Sequence, residues 1–239
     1  MNSRTTASLT KSNWSGTLIV VTFANRSYPM RLGRFFRSCG LLGLFASVAL
    51  AQEPVAKDST TVPGTFRSFI VTDKRTDAKD PLNRTDKLHC LVCENNLNPV
   101  VAIFARSQPQ GADDPLAKLT VELKKLLAVE GNKAKNLAGF VIFVTLDKEF
   151  QSDDKRDQLA AAIKTWGNTI GADRVVLGLT GQTSEAVKAW NLNKEDDITV
   201  VLYHRMKMVQ KPWTFGEGKM TEADIKAIIA ATEAELAKK

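Results

Sequence analysis

The stretch AGFVIFVTL, residues 138–146, is apolar, β-branched or aromatic at nearly every position and carries no charge. A strand with one wet face would alternate polar and apolar residues, so this run predicts a central strand covered on both faces. Three further runs share the pattern: PVVAIFA at 99–105, VVLGL at 175–179 and ITVVLY at 198–203. Upstream, FRSFIVT at 66–72 also reads as a strand, and Met206 to Trp213 reads as one more strand returning beside 198–203. Helices separate these runs. Asp114 can cap the first, Pro115 suits its first turn, and Leu116, Leu119, Leu123, Leu126 and Leu127 recur at helical spacing. A second carries Leu159, Ile163, Trp166 and Ile170, and Ser184 caps a short third with Val187 and Trp190. Thr221-Glu222-Ala223-Asp224 opens a last helix, capping-box fashion, with Ile225, Ile228, Ile229 and Leu236 inward. Strands alternating with helices predict an α/β fold: a mixed sheet between two helical layers, with helices 115–129, 156–170 and 221–237 supplying the cover.

The N-terminal quarter is of another kind. From Met30 the chain reads MRLGRFFRSCGLLGLFASVALAQ, with Arg31, Arg34 and Arg37 before an apolar run and Ala49-Leu50-Ala51 after it. That order predicts a secretory signal peptide at 30–51, cleaved after Ala51, because the apolar run is too short to span a bilayer. Residues 1–29 precede it and are expected to carry no folded structure. Residues 52–64, QEPVAKDSTTVPG, are polar and hold two prolines, which predicts a flexible tether. The domain then runs from 65 to 239. Removing the six basic residues of the first 51 from the 33 of the whole chain leaves 27 against 26 acidic, a net charge of +1. The basic character thus belongs to the leader, and a nucleic-acid partner is not expected. The mature product is expected to be exported, periplasmic or extracellular, and not an integral membrane protein.

Two cysteines remain after the leader, in Cys90-Leu91-Val92-Cys93. In an oxidising compartment a pair this close is a redox couple or a local structural disulfide. Two intervening residues let a turn bring their Cα atoms within bridging distance. As a redox couple, the reactive member is expected to be Cys90, with Lys87 and His89 as local cations and Glu94 working against them. No cofactor is expected. With His89 the pair gives at most three zinc ligands, and Glu94 stands where haem attachment needs a histidine, so no metal site is expected. His204 reads as a solvated strand-end histidine rather than a general base. The Asp113-Asp114 and Asp196-Asp197 pairs and the 153–157 charge run read as ordinary element ends.

The strand 99–105, the strand 140–146 closing on Asp147, the piece VVLGLTGQTSEAVKAWNL at 175–192 and the late hairpin from Ile198 to Trp213 together resemble the thioredoxin-like superfamily, and more narrowly the exported redoxins and peroxiredoxins. The likeness covers residues 66–237. It implies a three-layer α/β/α sandwich around a mixed sheet. It also implies a threonine and a reactive cysteine in the turn after Ala105, and a cis-proline just before the strand at 198. This chain has neither in those places: the turn reads Arg106 to Pro115 without cysteine or threonine, and Asp196-Asp197 precedes Ile198. The expectation is therefore an exported domain of this fold without the standard peroxidase or thioredoxin site, acting as a structural or interaction module, with a protein or thiol partner. The alternative is a thiol–disulfide oxidoreductase that uses Cys90 and Cys93 in a displaced CxxC.

Overall fold

The computed structural model describes residues 61–108, 111–133 and 135–238. The predicted leader and residues 52–60 lie outside the described residues. The elements, in chain order, begin with β1 (Arg67–Thr72), β2 (Leu88–Cys90), α1 (Leu91–Glu94) and β3 (Val100–Ala105). There follow α2 (Pro115–Ala128), α3 (Glu130–Lys133), β4 (Ala138–Thr145), α4 (Asp147–Phe150), α5 (Asp153–Thr169) and β5 (Val176–Gly181). The chain closes with α6 (Glu185–Ala189), β6 (Ile198–His204), β7 (Lys207–Met208), β8 (Trp213–Phe215) and α7 (Glu222–Ala237).

All eight strands join one mixed sheet in the order β2-β1-β5-β4-β3-β6-β7, with β8 also on β6. Strands β3, β4 and β5 are parallel, whereas β1 runs against β5 and β6 against β3. The 138–146 run thus occupies the middle of the sheet, as its unbroken apolar character requires. Side chains alternate across it. Val101, Ile103, Val141 and Phe143 face one core, and Val100, Ala102, Phe104, Phe140 and Ile142 face a second.

The two faces are covered differently from expectation. Leucines of α2, Ile163 and Trp166 of α5, and Ile225 and Ile228 of α7 all enter the first core. The physical reason is that β3 to β4 and β4 to β5 step in the same direction, so right-handed crossovers put α2 and α5 on one side. The second core is closed by short pieces instead: Phe66, Leu91 and Val92 of α1, and Val187 with Trp190 around α6. Phe66, Phe104, Trp190 and Tyr203 form an aromatic cluster there, with tilted and edge-on contacts at 4.9 to 6.3 Å between centroids.

Two further departures have local causes. The predicted strand from Met206 to Trp213 is broken into β7 and β8, separated by residues 209–212, because Pro212 has no N–H to give a ladder. At the end of the predicted tether, Val62 is buried and its N–H donates to the Met206 carbonyl at 2.9 Å, so this residue belongs to the second core. No helix among the described residues is long and apolar enough to cross a membrane.

Candidate functional site

The β1–β2 ladder sets Arg67 opposite Cys90, Ser68 opposite His89 and Phe69 opposite Leu88. At Cys90 the chain leaves the ladder and turns once as α1. Cys90 caps that turn, its Sγ accepting the Cys93 N–H at 3.1 Å. The two residues between the cysteines are its anchor: Leu91 and Val92 are both buried in the second core. Holding them inward brings the cysteine Cα atoms to 5.3 Å, and the sulfurs are bridged. Proximity of the pair was legible in its spacing. Exposure was not: Cys90, the expected reactive member, is 8% exposed, while Cys93 lies on the surface.

A charged network flanks the bridge. The Glu94 carboxylate accepts from His89 Nε2 at 2.7 Å and from Arg75 Nη1 at 3.0 Å. Arg75 in turn forks onto Asp73, with Nε and Nη2 each 2.8 Å from a carboxylate oxygen. Burial works to raise the Asp73 carboxyl, but the guanidinium and its hydrogen bonds outweigh that, leaving it below the usual carboxylate range. Of the two cations named from sequence, His89 is therefore engaged by Glu94, and Lys87 donates to the Asn83 carbonyl at 2.9 Å. Arg67, not singled out in the sequence, is exposed and is the backbone partner of Cys90 in the ladder. The alternation of 66–72 placed Arg67 on a strand, but the register across the loop from 73 to 87 could not be read.

The other candidates fall elsewhere. His204 Nδ1 meets Glu235 Oε1 at 2.8 Å, and Lys238 Nζ lies 2.6 Å from the second oxygen of that buried carboxylate. Asp114 caps α2 through the Leu116 N–H, and Asp153 pairs with Arg156 at 2.7 Å. Among the described residues no group of three or more His, Cys, Asp or Glu side chains could hold a metal ion.

The turn after β3, where the resemblance would put a reactive cysteine, is bonded shut. Arg106 donates its N–H to the Asp197 carbonyl at 2.8 Å and its guanidinium to the Leu192 and Asn193 carbonyls. The Ser107 N–H donates to Asp197 Oδ1 at 2.8 Å. All peptide bonds among the described residues are trans.

No family model matches the chain, and no curated protein matches it. Solved structures do. A candidate protein disulfide isomerase from Bacteroides thetaiotaomicron superposes with a TM-score of 0.50 at 12% identity, covering 75% of this chain and 91% of that one. A candidate thiol:disulfide interchange protein DsbE from Chlorobium tepidum gives 0.48 at 14% identity, covering 75% and 99%. The reduced 2-Cys peroxiredoxin of Plasmodium vivax gives 0.46 at 17%, covering 73% and 95%. At 12% identity the first of these likenesses speaks for the fold alone, and the fold is thioredoxin-like.

Proposed function

We propose that this chain is a thiol–disulfide exchange domain whose working pair is Cys90 and Cys93, moved from the turn after β3 to the turn before it. The observation that carries this reading is the asymmetry of the bridge: Cys93 is exposed, while Cys90 is buried and its sulfur receives the Cys93 N–H. A purely structural bridge spanning two residues adds only about 2 kcal/mol through chain entropy, so stability alone is a weak reason to keep it on the surface. In the proposed step a thiolate of a partner dithiol attacks Cys93 Sγ. The bond between the partner and Cys93 forms as the Cys90–Cys93 bond breaks, and its electron pair leaves on Cys90 as a thiolate held by the Cys93 N–H. The partner's second thiolate then displaces Cys93. The partner ends as a disulfide, and this chain ends with both cysteines reduced. An exported location, argued from the order of residues 30–51, suits a chain that must be oxidised to act.

The second reading is a structural or interaction module, favoured by the Arg106–Asp197 closure of the turn after β3. Equilibration with glutathione decides between them. Exchange predicts a reduction potential above about −270 mV and a mixed disulfide that accumulates on Cys93 in Cys90→Ser. A potential below about −300 mV without a mixed disulfide returns the chain to the structural reading.

A further inference from the structure

We infer that Glu94 is a positioning residue for this dithiol: clamped between Arg75 and His89, it holds the Cys93 end of α1 in bridging register with Cys90; the inference rests on the exchange reading. Glu94 directly follows Cys93 and is the last residue of the one-turn α1. Each of its carboxylate oxygens has its own partner. Oε2 meets His89 Nε2 at 2.7 Å, and Oε1 meets Arg75 Nη1 at 3.0 Å. Both partners are set in the hairpin that carries Cys90. His89 belongs to β2, and Arg75 forks onto Asp73, which is 2% exposed and directly follows β1. The Arg75 N–H also donates to Asp73 Oδ1 at 3.2 Å, so Arg75 is held by backbone and side chain alike. With the Glu94 side chain only 30% exposed, these contacts are screened less than those of ions standing free in water.

The clamp matters once the bridge is open. In the closed form the covalent bond itself keeps Cys93 beside Cys90. In the dithiol, or in a mixed disulfide on Cys93, Leu91 and Val92 still anchor the Cys90 side of the turn in the second core. Cys93 is on the surface, and an isolated helical turn of four residues is unstable. Two fastenings hold its far end: the Glu94 clamp, and Asn95, whose N–H and Nδ2 both donate to the Leu91 carbonyl. Keeping the turn closed raises the effective concentration of one sulfur at the other. A thiol with no second sulfur, such as glutathione, is then cleared from Cys93 quickly. The Cys90 thiolate attacks Cys93 Sγ, the bridge re-forms, and the bond to the adduct breaks, releasing it as a thiolate. A partner dithiol instead supplies its own second thiolate, so the clamp selects for partners that carry two. It also lowers the reduction potential of the pair, because the bridged form gains relative to the open dithiol.

The test equilibrates the full chain with glutathione and reads the peptide holding Cys90 and Cys93 by mass, which separates it from Cys39. Glu94→Gln is expected to shift the equilibrium roughly three- to tenfold toward the dithiol, raising the potential by about 14 to 30 mV. The glutathione adduct on Cys93 should live longer in the same variant. Arg75→Gln discriminates the cause. Were these charges acting on the sulfurs directly, removing Glu94 would raise the potential by favouring thiolates, and removing Arg75 would lower it. A clamp requires both variants to raise it, and the double variant to add little to either single one. Should Arg75→Gln unfold by stranding Asp73, His89→Ala takes its place with the same expectation. A loss of stability equal in the two redox forms would move the urea midpoint and leave the potential where it was. Unchanged potentials, or opposite shifts in Glu94→Gln and Arg75→Gln, overturn the inference. The exchange reading fails separately, on a parent potential below about −300 mV without a mixed disulfide, and the differences between parent and variants still report on the clamp.

Discussion

The carboxylate of Asp197 receives the backbone N–H of Ser107 at 2.8 Å, while the Asp197 carbonyl receives that of Arg106. One residue before β6 thereby fastens the turn after β3, ninety positions earlier in the chain.

Removing that carboxylate leaves the Ser107 N–H without its partner. Asp197→Ala is expected to destabilise by about 1 to 2 kcal/mol, and Asp197→Asn by less, since an amide oxygen can still accept. Urea unfolding measures both, and an unchanged midpoint in Asp197→Ala would show that the Arg106 bonds suffice.

Glu235 couples stability to acid. Burial works to raise its carboxyl, but hydrogen bonds from Lys238 and His204 prevail and hold the folded-state pKa below the ordinary value. A carboxyl depressed by folding contributes stability that is present above its unfolded pKa, about 4.3, and lost as pH falls through the folded one. The urea midpoint of the parent should therefore drop as pH is lowered from about 4.5, and Glu235→Gln should show a shallower drop. Parallel curves would mean that Glu235 carries none of the linkage.

Gly178 in β5 is a site of close approach. A Cβ there would meet Ile142 Cδ1 at 2.7 Å, the Phe69 carbonyl oxygen at 3.1 Å and Ser68 Oγ at 3.3 Å. The backbone oxygen cannot swing away, so Gly178→Ala is expected to cost about 1 to 3 kcal/mol in strain. Gly131, with nothing near its would-be Cβ, is the control and should tolerate alanine. Equal midpoints for the two variants would contradict the packing of β1 on β5.

Tyr203 is fully buried, and its hydroxyl has no hydrogen-bond partner among the described residues. Burial drives its pKa upward, so it stays neutral. The ring contributes packing and the hydroxyl contributes desolvation cost. Tyr203→Phe is expected to be neutral or stabilising, within about 1 kcal/mol, whereas Tyr203→Ala should cost about 3 to 5 kcal/mol. A strongly destabilised phenylalanine variant would reveal a bond made by the hydroxyl.

What the sequence made legible follows from period and length. The 138–146 run and the leucines from 116 to 127 carry one period over many residues, and both landed where that period required. The Thr221 capping box formed in full, being decided within four residues. What stayed hidden depends on contacts between distant segments. Pairing the backbone of Arg67 with that of Cys90 needs a register across a long charged loop, and burying Cys90 rather than Cys93 needs Leu91 and Val92 to find the second core. The break in 206–213 was written in Pro212 and outweighed by the apolar residues around it.

The antiparallel pairing of β3 with β6 brings Val100 against Tyr203, a separation of about 100 residues. Until the ribosome has released residues near 204, β3 has one neighbour and one raw edge, and both of its faces are apolar. A chain without β6 therefore presents a flat, greasy strand that would stick to its copies, and it gains protection only once β6 can pair. Closure of the sheet thus waits on β6, which gives holdase chaperones a defined client interval between the emergence of β3 and that of residue 204.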